Sequence, residues 1–185
     1  EEIGMIDPDY DSMADYVDVE SLNAYQMLLE EEKSQEEAFQ IIQAKSRDNS
    51  RIPMQWDVSE NAGFTVGTPW LKAGKSYPHI NVENEIQGPI FTFYQDLIRL
   101  RKEMPIISEG SYKPAFEDSK QVYAFERQYE DQKLLVLNNF YAKEVEIDLP
   151  VAYQNGQILL SNYEDAEVSE KILLKPYQTL AIYVN

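Results

Sequence analysis

Apolar residues recur at helical spacing in three places and at strand spacing in several more, and the switch between the two periods divides the chain. Leu22, Tyr25, Leu28 and Leu29 fall on one face of a helix expected from about Leu22 to Glu32. Ser34, followed three residues later by Glu37, forms a capping box in which each side chain satisfies the other residue's free backbone amide. It opens a second helix whose buried face carries Phe39 and Ile42. A third helix starts at Pro89, a residue suited to the first helical position, and carries Ile90, Phe91, Tyr94, Leu97 and Ile98 on one side before Pro105 ends it. Arg99, Arg101 and Lys102 suit the negative end of its dipole.

Two stretches around these helices have no period. Residues 1–20, dense in Asp and Tyr, read as a long irregular loop. Arg47 to about Ile86 is punctuated by Gly63, Gly67, Pro69, Gly74 and Pro78, while Trp56, Phe64 and Trp70 favour an ordered loop over a disordered one.

After about Ser108 the period becomes two. Val145, Ile147 and Leu149 alternate with Glu144, Glu146 and Asp148, and Leu180, Ile182 and Val184 repeat the theme. Gln121 to Gln128, Lys133 to Phe140, Gln157 to Ser161 and Lys171 to Leu174 bring the strand candidates to at least six, separated by short polar turns such as Asn155 and Gly156. Such a pattern predicts a small antiparallel sandwich or barrel, with its boundary near Ser108. The class is α+β.

Composition narrows the functions. In 185 residues, 13 Tyr, 7 Phe and 2 Trp make the chain too aromatic for disorder. A formal charge of -17 argues against binding nucleic acid or anionic lipid, both of which need clustered Lys and Arg. The absence of cysteine excludes a disulfide scaffold, a thiolate metal site and a cysteine nucleophile, and suggests a cytoplasmic setting. No apolar run is long enough to span a membrane. The opening, with Glu1 and Glu2 leading into a short apolar patch from Ile3 to Met5, reads as a cut end.

Several constellations have plain readings. Asp7, Asp9 and Asp11 imitate the start of a calcium loop, but Ser12 stands where that loop needs Gly and Asp18 where it needs Glu, so no metal is expected there. His79 is the single histidine and no nucleophile elbow accompanies it, which points to a structural or surface residue. Lys45 to Asp57 (KSRDNSRIPMQWD) stands out. Arg47 and Arg51 flank an Asp–Asn pair and lead into Trp56, a combination that can donate to sugar hydroxyls, accept from them and cover the apolar face of a ring. The same residues also fit a structural ion-pair network.

This segment, with Asn61 to Thr65 (NAGFT) and Thr68 to Trp70 (TPW), resembles a signature of α-amylase-superfamily α-glucosidases acting on short sugars: oligo-1,6-glucosidases, dextran glucosidases and trehalose-6-phosphate hydrolases. Glu1 to Met5 (EEIGM) resembles the sequence that closes the eighth strand of their catalytic barrel, and Asp18 to Asn23 (DVESLN) the start of the helical segment after it. Ile80 to Val82, and Phe91, Tyr94, Leu97 and Arg101, extend the likeness to the last barrel helix. The wording of Lys45 to Arg51 and of Glu20 to Gln26 is most similar to the trehalose-6-phosphate hydrolases.

The resemblance implies that residues 1–108 are the end of a (β/α)8 barrel and 109–185 a C-terminal antiparallel β-sandwich. In that family the nucleophile and acid/base carboxylates lie upstream of the EEIGM sequence, so no catalytic residue is expected in this chain and it should be inactive alone. Arg47 matches the arginine that holds the non-reducing-end glucose, and Glu20 an acid lining the leaving-group subsite. Arg51 and Asp48 are candidate supports. The expected parent is a retaining α-glucosidase acting on trehalose 6-phosphate, or next on isomaltooligosaccharides, without a cofactor. The missing barrel is the expected packing partner, and uncovered helices invite self-association. The rival reading is a non-catalytic carbohydrate-binding or structural β-domain.

Overall fold

The computed structural model describes residues 1–185 and divides into two compact units, Glu1–Tyr94 and Gln95–Asn185. In the first, helix α1 (Val19–Glu30) begins at Asp18, whose side chain accepts from the Ser21 amide. Helix α2 (Gln35–Lys45) carries the reciprocal Ser34–Glu37 capping box that its sequence announces. Ala38 and Ile42 are its buried residues, with Phe39 only partly covered. Helix α1 starts three residues earlier than its apolar period suggests, because the cap and not the first apolar residue sets the start.

The irregular opening segment is not idle. Tyr10 and Tyr16 pack edge to face at 5.3 Å and join Ile42 in a small core with Tyr25, Leu28 and Phe39 around it. The Tyr10 hydroxyl donates to the Lys72 carbonyl at 2.6 Å, and burial pushes its pKa up to about 12. Between Arg47 and Ile86 the backbone forms two 3-10 turns and the short helix α3 (Val82–Glu85). Buried Gln55 and Asn81 order this stretch: Gln55 donates to the Ile80 carbonyl, and Asn81 donates to the Tyr77 carbonyl at 2.8 Å. Trp56 and Trp70 remain exposed.

Helix α4 (Pro89–Glu103) spans the expected residues, yet Ile90, Leu97 and Ile98 are 44, 41 and 53% exposed. Only Leu100 is buried along it. A short helix α5 (Pro105–Ser108) follows.

In the second unit the strands are β1 (Lys113–Ala115), β2 (Val122–Tyr129), β3 (Gln132–Asn139), β4 (Val145–Asp148), β5 (Gln157–Ser161), β6 (Lys171–Leu174) and β7 (Thr179–Val184). The six expected from alternation are present, and β1 is the addition. Its three residues, one of them Pro114, are too few to show a period. Five strands form an antiparallel sheet in the order β1-β2-β3-β7-β5, and β4 pairs with β6 in a second sheet. The two sheets enclose one core that includes Leu135, Leu137, Ile147, Leu174, Leu180 and Ile182. Register serves this core directly, because Leu135 faces Ile182 and Leu137 faces Leu180. Ile106 of α5 packs on the other face of the large sheet, against Leu134 and Tyr183, and Arg127 donates to its carbonyl at 2.9 Å. No helix is long and apolar enough to cross a membrane.

Candidate functional site

The site begins where α2 ends. Ser46 takes an extended conformation at the helix C-terminus, and its hydroxyl accepts from the Asp48 amide at 3.2 Å, which starts the turn Arg47–Ser50. The same hydroxyl receives a bond from the Ser21 hydroxyl on α1 at 2.9 Å. One serine thus joins the end of one helix to the start of the other.

Asp48 lies beneath this turn with 0% of its surface exposed. Its Oδ2 accepts from the amides of Val17 and Asp18 at 2.8 and 2.9 Å, so it pins the residues that lead into α1. Asp18 in turn caps that helix through Ser21, taking both its amide and its hydroxyl at 3.0 Å. Arg51 donates to Asp18 at 3.2 Å and reaches Asp48 at 3.5 Å. Burial works against the Asp18 charge, but the bonds from Ser21 and Arg51 outweigh it and hold its carboxyl below the usual range.

Above the buried Asp48 and Asp18 carboxylates, which half-exposed Arg51 bridges, Arg47 and Glu20 meet at 2.5 Å, with side chains 62 and 67% exposed. All four residues singled out in the sequence therefore gather at one place, in two layers: Asp48 and Arg51 in the network, Arg47 and Glu20 facing water. An exposed ion pair contributes only about 0–1 kcal/mol, so Arg47 and Glu20 can exchange each other for a ligand's hydroxyls at little cost. A guanidinium donor beside a carboxylate acceptor is suited to a vicinal pair of sugar hydroxyls. The layout also uses Asp18, Ser21 and Ser46, which lie in the segments the sequence singles out but to which it assigns no role in the site. Asp18 and Ser46 each precede a helical turn as a capping residue would, which was the available signal.

Of the other constellations, Asp7 lines a cleft with Ser46, Asn49 and Ser50 of this turn, while Asp9 and Asp11 have another partner. Lys75 pairs with Asp11 at 2.6 Å and lies 3.8 Å from Asp9, and His79 is exposed. No group of three or more His, Asp or Glu side chains is gathered as metal ligands would be.

A family model described as the alpha-amylase catalytic domain matches residues 1–110. The chain belongs to the alpha-amylase family. A second model, the alpha-amylase SusG C-terminal domain, matches residues 122–180. Among curated relatives in the family, the trehalose-6-phosphate hydrolase of Bacillus subtilis (strain 168) is 40% identical over 186 residues, covering 97% of this chain and 33% of that protein. An oligo-1,6-glucosidase of Heyndrickxia coagulans is 42% identical over 189 residues, covering 100% of this chain and 33% of its own length. The crystal structure of Bacillus licheniformis trehalose-6-phosphate hydrolase superposes with a TM-score of 0.89 at 44% identity, over 98% of this chain and 34% of that one. The chain thus spans about a third of the length of the alpha-amylase family relatives it matches.

Proposed function

We propose that this chain is the C-terminal third of a retaining α-glucosidase, and that Arg47 and Glu20 contact substrate there. Residues 1–108 would complete a (β/α)8 barrel and 109–185 form the β-sandwich that follows it. The reading is carried by one observation: Arg47 and Glu20 pair at the surface beside buried Asp48 and Asp18, which Arg51 bridges, in a chain about 40% identical to trehalose-6-phosphate hydrolases and oligo-1,6-glucosidases. Trehalose 6-phosphate is the favoured substrate and isomaltooligosaccharides the next. The carboxylates of the reaction belong to the barrel portion outside these residues, so the 185-residue chain is inactive alone. That barrel portion is its packing partner. A cytoplasmic setting is part of the same reading and rests on the acidic, cysteine-free composition.

In the intact enzyme, Arg47→Ala should lower kcat/KM by roughly ten- to a hundredfold, the worth of one hydrogen bond from a charged group. Unchanged kinetics would remove Arg47 from the substrate site. Hydrolysis of p-nitrophenyl α-glucoside by the purified chain, above blank, would overturn the assignment of the reacting carboxylates.

A further inference from the structure

We propose that the β1–β2 edge of the large sheet holds a separate sugar-binding groove, built for a short neutral α-glucan and walled by Tyr112, Phe116, Tyr123 and Phe140. The choice of α-glucan among neutral polyols rests on the proposed function; the groove itself does not.

Its volume of about 430 Å³ is ample for one or two pyranose rings. Strand β2 turns its small residues, Val122 and Ala124, into the core and its large rings, Tyr123 and Phe125, to the opposite face. Tyr112, Tyr123 and Phe140 are 53, 52 and 66% exposed. They nonetheless form a connected row: Tyr112 to Phe125 at 5.4 Å, Phe125 to Tyr123 at 6.1 Å, and Tyr123 to Phe140 at 6.3 Å between ring centroids. Rings that hold one another are ordered before a ligand arrives, which lowers the entropic cost of binding.

Polar groups complete the groove. The Tyr112 and Tyr123 hydroxyls lie 3.0 Å apart, and that bond leaves one hydroxyl hydrogen and further lone pairs for a ligand. Gln121 is fixed by its bond to the Lys143 carbonyl at 2.7 Å, and Glu117 and Lys120 stand on the rim. One cation beside one anion does not select a phosphate. Apolar ring faces with scattered donors and acceptors suit a pyranose, whose C–H face is apolar and whose edge carries hydroxyls.

Packing fixes the remaining wall. Phe116, which forms one wall, packs against the sandwich core and is held there at φ +54°.

The test is titration of the 185-residue chain with maltotriose, isomaltotriose and β-linked cellotriose, followed by backbone amide NMR shifts. Binding of the α-linked sugars is expected with a Kd on the order of 1 mM, with shifts at Tyr112, Phe116 and Tyr123. Y123A and F140A should each weaken it by about tenfold, and Y123F, which keeps the ring, by clearly less. R47A should leave it unchanged, which separates this groove from the Arg47 site. F140A, removing a ring that is mostly in water, guards against loss of fold in Y123A. The proposal is overturned by no saturable shift at millimolar sugar, by cellotriose binding as well as the α-linked sugars, or by sensitivity to R47A without sensitivity to Y123A and F140A. Self-association that F140A abolishes and sugar does not compete would likewise overturn it, as a contact between copies.

Discussion

Asp48 has no surface in water and two backbone amides to satisfy, so its removal and that of its exposed neighbour Glu20 should differ sharply. Asp48→Ala strands the amides of Val17 and Asp18 and leaves Arg51 with one partner, and should cost about 2–5 kcal/mol in denaturant unfolding. Glu20→Ala breaks only an exposed pair and should shift stability by less than about 1 kcal/mol. If the two variants unfold alike, the division into a support layer and a contact layer is wrong. Asp18 supplies the pH dependence. Its folded pKa lies below the ordinary value of 3.8, so its contribution is fully present above that value and is lost as the pH falls through the lower, folded one. Asp18→Asn should therefore be less stable than the parent at neutral pH, and the gap should close in strong acid.

At the scale of elements, the clearest sequence signals were those that local chemistry alone determines. The Ser34–Glu37 box needs only its own turn, and it stands as written; Ser34→Ala should cost about 1 kcal/mol and reduce far-UV helicity if α2 frays from that end. Alternation placed β2 to β7 because each has one face against the core. What stayed hidden depends on distant partners. Strand β1 exists through its pairing with β2, from Lys113 with Glu126 to Ala115 with Ala124, which no three-residue pattern discloses. Likewise Arg47, Asp48 and Arg51 were legible as a group, while the burial of Asp48 alone among them goes with its bonds to Val17 and Asp18, some thirty residues earlier in the chain. The aromatic row escaped notice for the same reason, since Tyr112, Tyr123 and Phe140 lie on three separate segments.

Over the whole molecule, charge and apolar surface pull in opposite directions. A net charge of -17 keeps copies apart at low ionic strength, while Ile90, Leu97 and Ile98 present uncovered apolar surface along one 15-residue helix. Sedimentation of the isolated chain should therefore show association that grows with salt, as screening removes the repulsion. A Leu97→Glu, Ile98→Glu double variant should remain monomeric under the same conditions. Association that ignores salt, or persists in that variant, would locate the contact elsewhere.

The grip of Asp48 on the Val17 and Asp18 amides has a consequence for isotope exchange. Both amides precede the first turn of α1 and would ordinarily trade their protons with solvent almost at once. Held by a carboxylate without solvent exposure, they can exchange only when the contact between this segment and the turn at Arg47–Ser50 opens. Their deuterium uptake then becomes a clock for that opening, and it can be read in the 185-residue chain without any substrate.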